Sequence, residues 1–151
     1  MEIVIKKADA QDVERILHNR VEFFERMGKN PSEDFIKATR NYLESNLGGD
    51  SVLCYIATDQ EKIIASVIVC FYQVLPKLSN ITGKVGYIFN VYTVEEYRRQ
   101  GLASKLLSRI IEDSKLLGIG ELYLSATKEG KLLYEKLEFY QLSDEMRLKL
   151  I

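Results

Sequence analysis

The chain has 151 residues, 46% of them hydrophobic and 28% charged, with a formal net charge of −1. Those values describe one ordinary globular domain with room for a core, and they give no electrostatic case for nucleic acid or an anionic membrane. No apolar run approaches the ~20 residues of a bilayer span.

Residues 2 to 7 read as a strand, not as a secretory signal, so a cytoplasmic location is expected. Asp9 is placed to cap a helix whose apolar residues Val13, Ile16, Leu17, Val21, Phe24 and Met27 keep helical spacing. Gly28 is placed to end it in the left-handed conformation. Ser32 is placed to cap a second helix, which carries Phe35, Ile36, Tyr42, Leu43 and Leu47 and stops at Gly48-Gly49.

Ser51 to Thr58 and Ile63 to Val74 are strand patterns on either side of a polar turn near Gln60. The second is apolar almost throughout, as suits a strand buried on both faces. In that hairpin Cys54 is expected near Val67, not opposite Cys70, which argues against a disulfide. Two cysteines and one histidine cannot form the usual zinc clusters. Leu75 to Lys84 reads as a loop, Val85 to Val94 as a strand and Leu102 to Leu117 as an amphipathic helix. Glu121 to Ala126 reads as a strand. A short helix is expected from about Thr127 to Leu137, then closing strands at Phe139 to Leu142 and Glu145 to Leu150. With no repeat and no linker, residues 1 to 151 read as a single domain of mixed α/β (α+β type) class.

The most informative stretch is Arg98-Arg99-Gln100-Gly101-Leu102-Ala103, between a strand and a helix. A helix start exposes unpartnered N–H groups and partial positive charge. Two arginines there call for an anion, and Gly101 presents no side chain to keep a ligand off the backbone. Strand, basic turn and helix make a candidate phosphate cradle. It is neither a Walker A loop nor G-x-G-x-x-G. A solvated helix start is the plain alternative, and a domain for some other phosphorylated ligand is a third.

Arg98-x-x-Gly101-x-Ala103 resembles the pyrophosphate motif of the GNAT superfamily, the acyl-CoA-dependent N-acetyltransferases. Leu133-Tyr134-Glu135-Lys136-Leu137-Glu138-Phe139 resembles that superfamily's late helix segment. The resemblance covers the chain nearly end to end. It implies a largely antiparallel mixed sheet with flanking helices, whose fourth and fifth strands splay to hold acyl-CoA. It implies backbone contacts from Val91, Tyr92 and Thr93 to the pantetheine arm. It implies a pyrophosphate site at Arg98, Arg99, Gln100, Gly101, Leu102, Ala103 and Ser104, with acetyl-CoA as co-substrate.

The resemblance also implies a general-acid role for Tyr134, since amine attack on a thioester expels a thiolate that a nearby hydroxyl can protonate. Glu22 and Asn90 are expected on the acceptor side, and no metal is expected. Three positions depart from the family pattern. Glu138 replaces a glycine, Glu95 a proline, and Thr127 an asparagine that orients the cofactor.

The expected reaction is direct transfer of an acetyl group from acetyl-CoA to a primary amine, on a small molecule or peptide, by a monomer or homodimer. Neither cysteine matches a nucleophile position. The rival from another class is a non-catalytic acyl-CoA-binding sensor or docking module.

Overall fold

The computed structural model describes residues 2–142 and 144–151. Its elements follow in the order β1 (Ile3–Lys7), α1 (Val13–Arg26), α2 (Glu33–Asn46), β2 (Val52–Asp59), β3 (Lys62–Gln73), β4 (Lys84–Thr93), α3 (Leu102–Leu116), β5 (Glu121–Leu124) and α4 (Lys131–Lys136). Short 3-10 turns at Ala10–Asp12 and Glu95–Tyr97 lead into α1 and out of β4.

The helix signals act locally. The Asp9 carboxylate accepts from the Gln11 N–H at 2.9 Å, and the Asp12 carboxylate accepts from the Asp9 N–H at 2.9 Å. This reciprocal pair caps the 3-10 turn that runs into α1. Ser32 Oγ accepts from the Phe35 N–H at 3.1 Å and caps α2. Gly28 follows α1 at φ 76°.

Asp12 is buried, 1% exposed, beneath Lys6 and Arg15. Burial pushes its carboxyl up, but the Asp9 N–H, Arg15 and Lys6 together hold it below the usual range. Asp12→Asn should cost about 2–4 kcal/mol, since it leaves two cations without their buried partner. Because the folded-state value is depressed, Asp12's contribution is present above the unfolded value and lost as pH falls through the folded one. Denaturant melts of wild type and Asp12→Asn at pH 7 and pH 3 check both points. The gap between the two proteins should shrink in acid.

The five strands lie in the order β1-β2-β3-β4-β5. The first four are antiparallel, and β4 to β5 is parallel, joined by α3. On one face α1 and α2 cover Val52, Cys54, Ile56, Ile63 and Ile68. On the other, α3 and α4 set Leu102, Leu106, Leu107, Ile110 and Tyr134 against Leu53, Tyr55, Val67, Val69 and Ile88. β3 lies between the two clusters and is buried on both faces from Ile63 to Val69, as its nearly continuous apolar run predicts.

Cys54 pairs with Ile68, one residue beyond the expected Val67. The cause is a bulge between Ala57 and Thr58, which adds a residue to the hairpin count. Cys70 sits across from Val52, and both thiols are free.

β5 pairs with β4 only from Val85 to Ile88, opposite Glu121 to Leu124. From Phe89 to Thr93, β4 runs on with no partner on that side among the described residues. This is the splay the resemblance implied, and it leaves a row of strand N–H and C=O groups facing a cleft.

The expected closing strands are a correction. Ser143 lies outside the described residues, but 139–142 and 145–150 carry no strand, and β5 ends at Leu124, short of Ala126. Met146, Leu148 and Leu150 keep the period of a strand yet are 98%, 82% and 85% exposed. A strand is defined by its ladder, and among the described residues this segment has no ladder partner.

Candidate active site

The turn after β4 is built by two left-handed residues. Arg99 has φ 67° and Gly101 φ 73°, with Gln100 between them outside that region. Such alternation converges successive N–H groups on one point, a backbone concavity suited to anions. Gly101 is the N-cap of α3 and offers no side-chain cap of its own, so the first N–H groups of the helix stay free for another acceptor. A Cβ added at Gly101 meets nothing within 4 Å. The space in front of the turn is open, and the left-handed φ favours glycine there.

The residues of this stretch divide by direction. Arg99, Gln100 and Gly101 are exposed, whereas Leu102 is 4% exposed in the core and presents only its backbone to the turn. Ala103 and Ser104 are half-buried in the first turn of α3. Arg98 Nε donates to the Thr93 carbonyl at 3.1 Å, tying the end of β4 to the turn. Val91 and Thr93 are half-buried and Tyr92 is buried on the splayed part of β4, which ends where the turn begins. Cleft edge and cradle are therefore contiguous. A hollow of about 330 Å³ bordered by Lys7, Gly48, Leu53, Asp113 and Leu117 lies at the far end of α3 and shares none of these residues.

Tyr134 stands on α4 with its ring in the core, 8% exposed, and meets Phe139 edge-on at 6.1 Å. A Cβ at Gly130 would lie 3.2 Å from its hydroxyl oxygen, so this glycine leaves the hydroxyl room. No side chain among the described residues hydrogen-bonds that hydroxyl. Burial alone pushes it above its ordinary value, so it remains protonated through the neutral range.

Thr127 does not start α4. Its Oγ1 accepts from the Gly130 N–H at 3.2 Å and closes the turn before the helix, whose first residue is Lys131.

Glu138 has φ 72°, the left-handed conformation its family position implies. A non-glycine residue loses about 1 kcal/mol there. Glu138→Gly is therefore expected to raise stability by up to about 1 kcal/mol, read by chemical denaturation, with acetyl-CoA affinity unchanged. Lowered stability would show that the Glu138 side chain makes a compensating contact.

On the opposite face of the sheet β4 carries a second irregularity. Its register against β3 shifts between Ser66 and Ile68, and Asn90 is left-handed at φ 58°. The bulge turns Asn90 inward, where a polar chain receives it. Asn90 Nδ2 donates to Ser66 Oγ at 2.8 Å, Ser66 Oγ donates to Asn19 Oδ1 at 2.5 Å, and Asn19 Nδ2 reaches the Ile63 carbonyl at 3.4 Å. Asn90 Oδ1 accepts from Arg20 Nη1 at 3.1 Å. Asn19, Ser66 and Asn90 are all buried, so the chain is satisfied internally.

Glu22, three residues beyond Asn19 on α1, accepts from the Tyr92 hydroxyl at 3.3 Å. Both residues expected on the acceptor side thus meet β4 near its bulge, Asn90 within it and Glu22 through Tyr92. Arg20 and Ser66 were not expected. Their only sequence signal is an arginine and a serine set among apolar helix and strand positions, which means nothing until the β3–β4 register is known.

The fold recurs in solved structures. A predicted acetyltransferase from Clostridium acetobutylicum, crystallised with acetyl-CoA, is 29% identical, with 99% of this chain and 97% of that one covered at a TM-score of 0.91. A GCN5-related N-acetyltransferase from Ralstonia eutropha is 21% identical over 99% of both chains, with a TM-score of 0.83. Glucosamine-6-phosphate N-acetyltransferase from Arabidopsis thaliana is 21% identical over the full length of both, at 0.70. No curated protein sequence matches the chain significantly. The family model for the acetyltransferase (GNAT) family matches residues 13–139. That span takes in the splayed strand, the left-handed turn and Tyr134, and the chain accordingly belongs to the GNAT acetyltransferase family, whose members are acyltransferases using acetyl-CoA as co-substrate.

Proposed function

We propose that this protein transfers the acetyl group of acetyl-CoA to a primary amine by direct attack. The observation that carries the reading is the continuity of the unpaired edge of β4 with the left-handed turn at Arg99–Gly101. Pantetheine is a chain of amides, so Val91, Tyr92 and Thr93 bind it as an added strand, through backbone groups. The pyrophosphate follows onto the N–H groups of Arg99 to Ser104, where the start of α3 adds its field. The Arg99 guanidinium adds charge beside it. Arg98, tied to Thr93, acts by fixing the turn against the strand. Thr127 braces the turn before α4 and so helps set where Tyr134 stands.

In the transfer step the neutral amine attacks the thioester carbonyl. The β4 edge amides at the bulge stabilise the developing oxyanion. The carbon–sulfur bond then breaks, and the Tyr134 hydroxyl donates a hydrogen bond or proton to the leaving thiolate. Glu22 takes up the proton the amine loses, directly or through water. Cys54, buried and with its thiol pushed up by that burial, and Cys70 play no part.

The test is coenzyme A release from acetyl-CoA across a library of amines, measured beside acetyl-CoA binding by calorimetry. Binding with amine-dependent release is expected. Binding without release from any amine would favour a sensor or docking module, and failure to bind would remove the reading altogether.

A further inference from the structure

Arg20 stands out among the arginines of α1 and α2. Arg15 pairs with Asp12, Arg26 with Glu95 and Arg40 with Glu14. Arg20 meets no carboxylate within ion-pair distance among the described residues. It is nonetheless half-buried, with its guanidinium carbon 4.9 Å from the centre of the Phe24 ring and 5.5 Å from that of Phe35. Desolvating a cation without a counter-charge is costly, and two aromatic faces offset only part of that cost.

The placement is held from behind. One donor of the guanidinium goes to Asn90 Oδ1, and Asn90 is itself locked by Ser66 and Asn19. A guanidinium has five N–H donors in a planar fork, so most of this one stays uncommitted. Asn90 lies within the open stretch of β4, just past its last pairing with β5 at Ile88, which puts the fork beside the cleft. Beside it on the same face of the sheet, Phe89 is 42% exposed, with the Tyr87 ring centre 4.8 Å away and tilted by 38°. A fixed, underused cation next to an exposed aromatic floor is a site built for an oxyanion attached to a small organic body.

We propose that Arg20 anchors the acceptor through an anionic group, a carboxylate or a phosphate, and that the enzyme acetylates amines carrying such a group. The proposal rests on the acetyltransfer reading. Arg20 holds the anion while the acceptor nitrogen reaches past the bulge to the thioester, and Asn90 is a positioning residue that aims the fork.

The experiment uses matched pairs of amines that differ only in the anion. An aromatic amino acid is set against its carboxamide, and an aminoalkyl phosphate against the corresponding amino alcohol. Each is titrated into the CoA-loaded protein by calorimetry and assayed for coenzyme A release. In wild type one of the two anionic members should bind at least about tenfold more tightly than its neutral partner, with the gain in KM more than in kcat. Which pair shows the preference separates carboxylate from phosphate. In Arg20→Gln the preference should fall below twofold, while CoA binding stays at the wild-type value.

Arg20→Lys, which keeps the charge but not the fork, should restore part of the preference. Equal treatment of the charged and neutral members by wild type overturns the proposal, and so does a preference that survives Arg20→Gln. Loss of CoA binding in wild type would instead sink the acetyltransfer reading. Calorimetry without turnover still reads the Arg20 preference. If Arg20→Gln melts well below wild type, the pairs compared in wild type alone decide.

Discussion

Replacing Gly101 by aspartate should lower acetyl-CoA affinity by roughly 10²–10³-fold. Glycine is at φ 73° here, and its missing side chain leaves open space in front of the first N–H groups of α3. An aspartate would fill that space with a carboxylate where the pyrophosphate belongs. At about 4 Å and the effective dielectric of a protein surface, two like charges repel by about 4 kcal/mol. Every 1.4 kcal/mol is about a tenfold loss, so even partial screening leaves a large effect. Gly101→Asn is the control. It has nearly the same size, tolerates the left-handed backbone and carries no charge. Calorimetry on both variants should show the aspartate far weaker than the asparagine. Similar losses in the two would mean that shape, not charge, governs the turn. Full affinity in a folded Gly101→Asp would remove the phosphate cradle from this site.

The second large effect is expected in kcat. Tyr134→Phe keeps the ring that packs against Phe139 and removes only a hydroxyl that no side chain among the described residues hydrogen-bonds. Positioned acid catalysis is worth about 10²–10⁴-fold, and because a thiol leaves fairly well unaided, the loss should lie near the bottom of that range. Acetyl-CoA affinity should barely move, since β4 and the turn are untouched. Burial raises the hydroxyl's value, so it stays protonated through the neutral range and the wild-type rate should show no loss of an acid there. Steady-state rates on an accepted amine decide the point. If kcat is unchanged within twofold and product release does not limit the rate, Tyr134 is a packing residue.

The sequence told most about features made within a few residues. The Asp9 and Ser32 caps, the left-handed Gly28 and the helix after Gly101 all depend on neighbours along the chain. Position within the family motif carried Glu138, which has the backbone conformation its place implied. What sequence could not show depends on register. The bulge at Ala57/Thr58 moved Cys54 by one partner, and the bulge near Asn90 created the polar chain to Arg20. Neither bulge has a glycine or proline to announce it. The segment from Met146 to Leu150 failed differently, since alternation is a property of one strand and a ladder belongs to two.

The strand order also has a consequence for how the two sides of the site are laid out along the chain. Strands β2, β3 and β4 follow one another as antiparallel neighbours, and β1 joins them across the two-helix segment. Only the parallel partner β5 needs a crossover, and it lies last. Every member of the network of Asn19, Arg20, Ser66 and Asn90 lies N-terminal to β5 in the chain. The cleft between β4 and β5 forms only after α3 has folded back across the sheet. The acceptor-side network and the donor cleft are therefore written in separate stretches of the chain, the cleft depending on the last strand and the network on none of it.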